Sequence, residues 1–194
     1  MEITSAQLKE LRDYTGISVM QCKRALEEAG GDMEKAKIIL QKKGGEIALK
    51  KSDRALGAGV IGSYVHSTQE VAALVHLSCE TDFVAKNPEF VSLAREIAMH
   101  VAAQNPLYIK REDVTEEALK KAKEVFREEI KAKPAEMQEK ILAGKLDAYF
   151  KDRILLEQPF IKDGEKTIGD LVNNAIQKFG ENTVISSISR LSVK

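Results

Sequence analysis

Three side chains in the middle of this 194-residue sequence could act on a small molecule: His66, His76 and Cys79. Two imidazoles suggest acid–base work or a metal centre, and a thiol near an imidazole suggests a nucleophile. Their spacing argues against each. Val60 to His66 and Val71 to Cys79 are β-prone runs parted by Ser67-Thr68-Gln69-Glu70, the composition of a hairpin loop. In such a hairpin His66 pairs near Val71 and His76 near Ile61, so the imidazoles stand several residues apart. No third ligand of suitable type and spacing accompanies either, so no metal site is expected and both are read as surface or hydrogen-bonding histidines. Alternation places Val71, Ala73, Val75, Leu77 and Cys79 on one face and Ala72, Leu74, His76, Ser78 and Glu80 on the other. Cys79 therefore falls on the apolar face, where a thiol is inert. The chain contains no Ser/His/Asp arrangement, glycine-rich phosphate loop or HExxH pattern. An enzyme is not expected, and neither is a cofactor.

What remains is the junction Cys79-Glu80-Thr81-Asp82-Phe83-Val84-Ala85-Lys86-Asn87, followed by Pro88. Here a strand hands over to a helix that Pro88 can open, because its missing N–H has no partner to lose in a first turn. Thr81 or Asp82 can cap backbone amides. By residue type alone Phe83 belongs in a core. The hairpin and the following helix already supply one, where Phe90, Leu93, Ile97 and Val101 line a face from about Pro88 to Gln104, ended by Asn105-Pro106. The residues alone therefore leave open whether Phe83 points inward or outward.

Upstream, the first 45 residues read as three short amphipathic helices. Thr4 or Ser5 caps a helix carrying Leu8, Leu11 and Tyr14, stopped by Gly16; Ser18, with Gln21 three residues on, starts a second with Cys22, Ala25, Leu26 and Ala29. Asp32 caps a third, with Met33, Ala36, Ile39 and Leu40 inward and Gly44-Gly45 as its end. Val19 and Met20 lie off the stripe of the second helix. Met20 either closes the end of the small core or, with Val19 beside Arg12 and Lys23, forms an exposed docking patch. Residues 46–56 read as a charged helical linker that leaves the module free to sit at a variable angle, and 57–194 as the main domain.

Downstream, Thr115 starts a charged helix with Ala118, Ala122, Val125, Phe126 and Ile130. Lys133-Pro134 interrupts it, and a helix from Ala135 to about Phe150 turns Met137, Ile141, Leu142 and Leu146 inward. Glu116/Lys120, Glu117/Lys121 and Glu136/Lys140 are i,i+4 pairs on solvated faces. Ile154 to Ile161 is extended or looped, Lys162-Asp163-Gly164 is a turn, and Thr167 caps a helix with Ile168, Leu171, Val172, Ile176 and Phe179. The β-prone run Asn182 to Leu191 suits a third antiparallel strand, its broken alternation fitting either a bulge or a two-sided environment. The fold class is α+β: a three-helix N-terminal module, then a three-stranded antiparallel sheet packed with helices.

Composition narrows the function classes. Lys+Arg and Asp+Glu each number 30, and this zero net charge lacks the overall basic balance of a dedicated nucleic-acid binder. Cys22 and Cys79 form no CxxC pair and fit reduced, buried thiols in a cytoplasmic protein. The start Met-Glu-Ile-Thr is read as carrying no leader, and no run approaches the roughly 18 apolar residues of a membrane span.

Three stretches resemble one family, the bacterial translation elongation factor Ts. They are Leu11 to Gly16 through Cys22-Lys23-Arg24-Ala25-Leu26 with Gly31-Asp32; Gly59 to His66 leading to Glu80-Thr81-Asp82-Phe83-Val84-Ala85-Lys86-Asn87; and Gln158-Pro159-Phe160 with Lys166-Thr167-Ile168 and the terminal strand. The resemblance implies an N-terminal module similar to ubiquitin-associated domains and a guanine nucleotide exchange function on the GTPase elongation factor Tu, in its GDP-bound and nucleotide-free forms. It implies that Thr81, Asp82, Phe83 and Val84 form a wedge that disturbs the partner's Mg²⁺ and phosphate site, with Arg12, Val19, Met20 and Lys23 docking beside it. The chain is similar in length to the compact members with a single core, which implies a homodimer in place of a second core subdomain. The competing expectation is a non-exchanging adaptor that binds a helix or nascent segment through its N-terminal module.

Overall fold

The structure is a computed structural model describing residues 3–131 and 134–193, apart from the side chains at 135 and 136. The expected break at Lys133 and the Glu136/Lys140 pair lie outside the described residues. The chain is α+β, with helices α1 (Ser5–Thr15), α2 (Val19–Glu28) and α3 (Met33–Lys51) preceding the sheet. Strands β1 (Ala58–Val65) and β2 (Val71–Cys79) form a hairpin, followed by α4 (Asp82–Ala85) and α5 (Pro88–Gln104). Then come α6 (Glu116–Ile130), α7 (Ala135–Lys151), a short hairpin of β3 (Pro159–Phe160) and β4 (Asp163–Thr167), α8 (Ile168–Phe179) and β5 (Val184–Ser192).

Local chemistry explains the helix starts. Thr4 and Gln7 form a reciprocal capping box on α1, and Gly16 closes that helix in the left-handed region at φ 68°. The Ser18 hydroxyl accepts from Gln21 N, and the Asp32 carboxylate accepts from Lys35 N. The three helices bury Leu11, Ile17, Cys22, Ala25, Leu26, Ala36 and Leu40 against one another.

One expected boundary moves. The third helix does not stop at Gly44-Gly45 but runs to Lys51. Gly44 is buried against α8, where a Cβ would collide with the Gln177 amide, and Gln177 Nε2 donates to Leu40 O at 3.0 Å. The close approach offsets glycine's helix penalty of about 1 kcal/mol. Residues 46–51 are thus the last turns of α3, and Ile47 and Ala48 pack on the main core.

That core lies between one face of the sheet and α5 with α8. The strand order is β1-β2-β5, all antiparallel. Val75, Leu77 and Cys79 meet Phe90, Ala94, Ile97 and Val101 of α5, and Phe90 stands edge-to-face on Phe179 of α8 at 5.7 Å. Gly62 lets α5 lie close on β1, since a Cβ there would strike the Ala94 backbone. Of the two readings of the last strand's broken alternation, the structure shows a bulge, where His76 pairs Ser187 and Leu77 pairs Ile185.

α6 and α7 form an antiparallel pair around Ala122, Ile130, Leu142, Leu146, Phe150 and Ile154. Met137, expected inward, is exposed, as is Val125 of α6. The packed line of α6 is Leu119, Ala122, Phe126 and Ile130, one position round the helix from Val125, and Met137 sits in a first turn outside the cluster. The β3–β4 hairpin is also unanticipated, because two residues of β3 carry too short a pattern to read.

Candidate functional site

The junction after β2 is a single turn of helix with two buried and two exposed residues. Thr81 is extended and caps α4, its hydroxyl accepting from Val84 N at 3.5 Å. Val84 and Ala85 enter the main core, and Val84 is 5% exposed. Phe83 faces the other way and is 82% exposed. Side chains one residue apart on a helix diverge by roughly 100°, so seating Val84 turns Phe83 into solvent. Val84 is thus the anchor of the turn and not part of its outer surface.

Asp82 is also exposed and pairs with Lys86 Nζ at 2.6 Å across one helical turn. The Lys86 ammonium holds the Asp82 carboxyl below the usual carboxylate range. Both groups are solvated, so the pair is readily exchanged for another partner.

Behind the turn lies a polar clamp that sequence reading missed. Glu181 Oε2 accepts from Glu80 N at 3.1 Å and Thr81 N at 3.0 Å, and Glu181 Oε1 accepts from the Thr81 hydroxyl at 2.6 Å. Glu80 reciprocates: its Oε1 accepts from Asn182 N at 2.6 Å and from Arg54 Nη1 at 3.3 Å. The Asn182 amide donates to Ser52 O and Arg54 O, tying in the chain beyond α3. The Asn182 N–H, with Arg54 adding, holds the Glu80 carboxyl below its ordinary range. Gly180, the left-handed cap of α8, was the only local signal for this loop.

The second group sits on the N-terminal module. Val19 and Met20 open α2 and are 42% and 61% exposed. Met20 therefore does not close the small core; Ile17, which sequence reading passed over, is buried there instead. Arg12 and Lys23 are exposed, with Lys23 loosely paired to Glu27 at 3.9 Å.

Polar links join the module to the core. The Tyr14 ring lies under Lys166 Nζ at 3.6 Å and Lys37 Nζ at 4.3 Å, and its hydroxyl donates to Glu165 at 3.2 Å. Gln41 bonds Asp170 at 2.7 Å, and Lys51 Nζ donates to Gly180 O. Lys178 of α8 lies against Gly16 and pairs with Glu89 in the first turn of α5. One residue thus lies near the turn before Val19-Met20 and pairs with the helix after Phe83.

The residues with catalytic chemistry do not converge. His76 pairs with Ile61 across the hairpin and contacts Ser78 Oγ at 3.2 Å, while His66 contacts Ser67 Oγ at the loop. Burial pushes the Cys79 thiol up, and its Sγ donates to Thr81 O at 3.2 Å. Among the described residues no three His, Cys, Asp or Glu side chains lie together as a metal site. Among the same residues no helix is long and apolar enough to cross a membrane.

The chain matches known proteins along nearly its whole length. The family described as Elongation factor TS matches residues 18–193. The protein is 48% identical to elongation factor Ts of Thermosipho melanesiensis, over 98% of each chain. It is 47% identical to the protein of that name from Thermodesulfovibrio yellowstonii and 48% identical to that from Thermotoga petrophila, each match covering 100% of this chain and 97% of the relative. The sequence resemblance and the α+β architecture agree, and the chain belongs to the elongation factor Ts family, whose members are nucleotide exchange factors for elongation factor Tu in translation elongation rather than enzymes.

Proposed function

We propose that this chain promotes GDP release from elongation factor Tu by pushing the Asp82–Phe83 turn into the partner, while Val19, Met20, Arg12 and Lys23 dock beside it. The observation that carries the reading is Phe83: a large aromatic, 82% exposed, on a helix turn whose next two residues are buried. An aromatic held in water on a rigid base gains about 1.5–3 kcal/mol when its surface is buried in a partner. That gain can drive the partner's helices away from the Mg²⁺ and phosphate site, whose metal geometry tolerates little displacement. Asp82 leaves Lys86 and accepts hydrogen bonds from groups freed by the shift. Linkage requires the factor that weakens nucleotide binding to bind the nucleotide-free partner more tightly by the same ratio. No covalent step is involved.

The test is release of labelled GDP from elongation factor Tu. Phe83→Ala is expected to slow release about 30-fold or more, the effect of losing an aromatic anchor. Its melting temperature should stay near wild type, as for an exposed position. Wild-type release by Phe83→Ala would return the turn to a structural role, and no acceleration by the parent chain would favour the adaptor.

The same reading includes a homodimer. The sheet face away from the core leaves Ile61, Val65, Leu74 and Leu191 exposed, apolar side chains interleaved with Ser63 and Ser189, of the kind a second copy covers. Equilibrium sedimentation at micromolar concentration should give a dimer that Leu74→Lys dissociates; a monomeric parent chain would sink the idea.

A further inference from the structure

We infer that Glu181 is a positioning residue for exchange, holding the Phe83 turn in its competent shape through the Thr81 hydroxyl and two backbone amides. The inference rests on the Asp82–Phe83 reading above and extends it to a residue about a hundred positions away.

The geometry of one carboxylate carries it. Oε2 takes the N–H groups of both Glu80 and Thr81, at 3.1 and 3.0 Å, which aligns the last peptide units before α4. Oε1 takes the Thr81 hydroxyl proton at 2.6 Å, leaving that oxygen's lone pairs for Val84 N. An ionised carboxylate only accepts, so the proton can point only one way. The hydroxyl then relays the constraint: Glu181 orients Thr81, and Thr81 caps the turn that carries Asp82 and Phe83. With Cys79 Sγ donating to Thr81 O, the polar groups of Thr81 are all engaged from behind. A four-residue helix has no length to be stable alone. Its shape is therefore set by the cap and by the seating of Val84. Charge-assisted hydrogen bonds of this kind are the stronger class.

Without Glu181 the Glu80 and Thr81 amides lose their acceptor, and the turn samples shapes in which Phe83 is not presented. The partner then meets a competent turn only a fraction of the time, and the maximal exchange rate falls by that fraction. Docking through Val19 and Met20 is unaffected, so the half-saturating concentration changes little. Glutamine separates geometry from charge. Its carbonyl oxygen can still accept both amides, and its NH2 can donate to the Thr81 hydroxyl, which still accepts from Val84 N.

The experiment measures labelled-GDP release from elongation factor Tu, over a concentration range, with full-length wild type, Glu181→Ala, Glu181→Gln, Phe83→Ala and the Glu181→Ala/Phe83→Ala double variant. Glu181→Ala is expected to lower the maximal rate about ten-fold, one decade in the competent fraction, with half-saturation within two-fold or so of wild type. Glu181→Gln should recover most of the loss, and Glu181→Ala should add little once Phe83 is gone. A wild-type maximal rate in Glu181→Ala overturns the inference, as do equal losses in the alanine and glutamine variants or an undiminished further loss in the double variant. If Phe83→Ala itself exchanges normally, the wedge reading fails first and takes the positioning role with it. Should Glu181→Ala lose its cooperative melt, Thr81→Val carries the comparison, removing the relay hydroxyl while Glu181 keeps both amides. A slowed maximal rate then supports the inference, and an unchanged one overturns it.

Discussion

Phe83 and the Val19–Met20 pair are both apolar and exposed, yet they are held outward by different means. Val19 and Met20 stand on the first turn of a ten-residue helix whose start is set by its own neighbour, Ser18. The module beneath them is built from residues within the first forty positions. Phe83 stands on a four-residue helix that the distant Glu181 and Asn182 hold through the strand end. One presentation is local and self-contained; the other exists only when the chain has closed its sheet. The difference suggests a division of labour. On the proposed mechanism the local patch would supply affinity and the globally braced turn the displacement.

Separating binding from displacement is the sharpest way to break that contrast. Met20→Asp combined with Val19→Ala should raise the half-saturating concentration for GDP release about ten-fold or more, because interface truncations of this size cost over 1 kcal/mol. The maximal rate should hold. A fall in maximal rate with unchanged half-saturation would mean that the module and the turn act as one unit.

A smaller effect tests the claim that the patch is locally encoded. Ser18→Ala removes the acceptor for Gln21 N and should cost about 1 kcal/mol in the stability of α2. Hydrogen exchange is expected to speed up at the start of α2 and not at Val84. Equal loosening at both would show that the module is not self-contained.

The smallest expected effect is a dependence on pH confined to the braced region. All three histidines lie beyond the N-terminal module, and His100 is buried in α5. The Gln158 amide nitrogen donates to Asp152 O at 2.6 Å, so its oxygen faces His100 and Nε2–H donates to it at 2.9 Å. Among the described residues Nδ1 has no partner, and burial pushes the His100 pKa below its ordinary 6.5. As pH falls through that value the unfolded chain takes up the proton first, so stability falls with pH below about 6.5. His100→Gln should flatten that slope between pH 6.5 and 5, read by denaturant titration, without altering the module. An unchanged slope would assign it to other groups.

These contrasts separate what is legible in the residues from what is not. Thr4, Ser18, Asp32, Thr115 and Thr167 mark helix starts, because capping joins groups two or three residues apart. The hairpin register, the helix from Pro88 to Gln104 and the third strand follow from periodicity and turn composition. The acidic–aromatic turn itself could be singled out for the same reason. Closure of the chain decided the rest. It carried α3 through Gly44-Gly45 by seating that glycine on Gln177, and it left Val125 and Met137 in solvent. It also turned Val84 in and Phe83 out, and set Glu181 behind Thr81. Residues within about four positions interact in any conformer of a local element, so their pattern is written in order along the chain. Contacts between Thr81 and Glu181 have no such pattern: they arise only when β5 pairs with β2 and brings a hundred residues of chain back on itself.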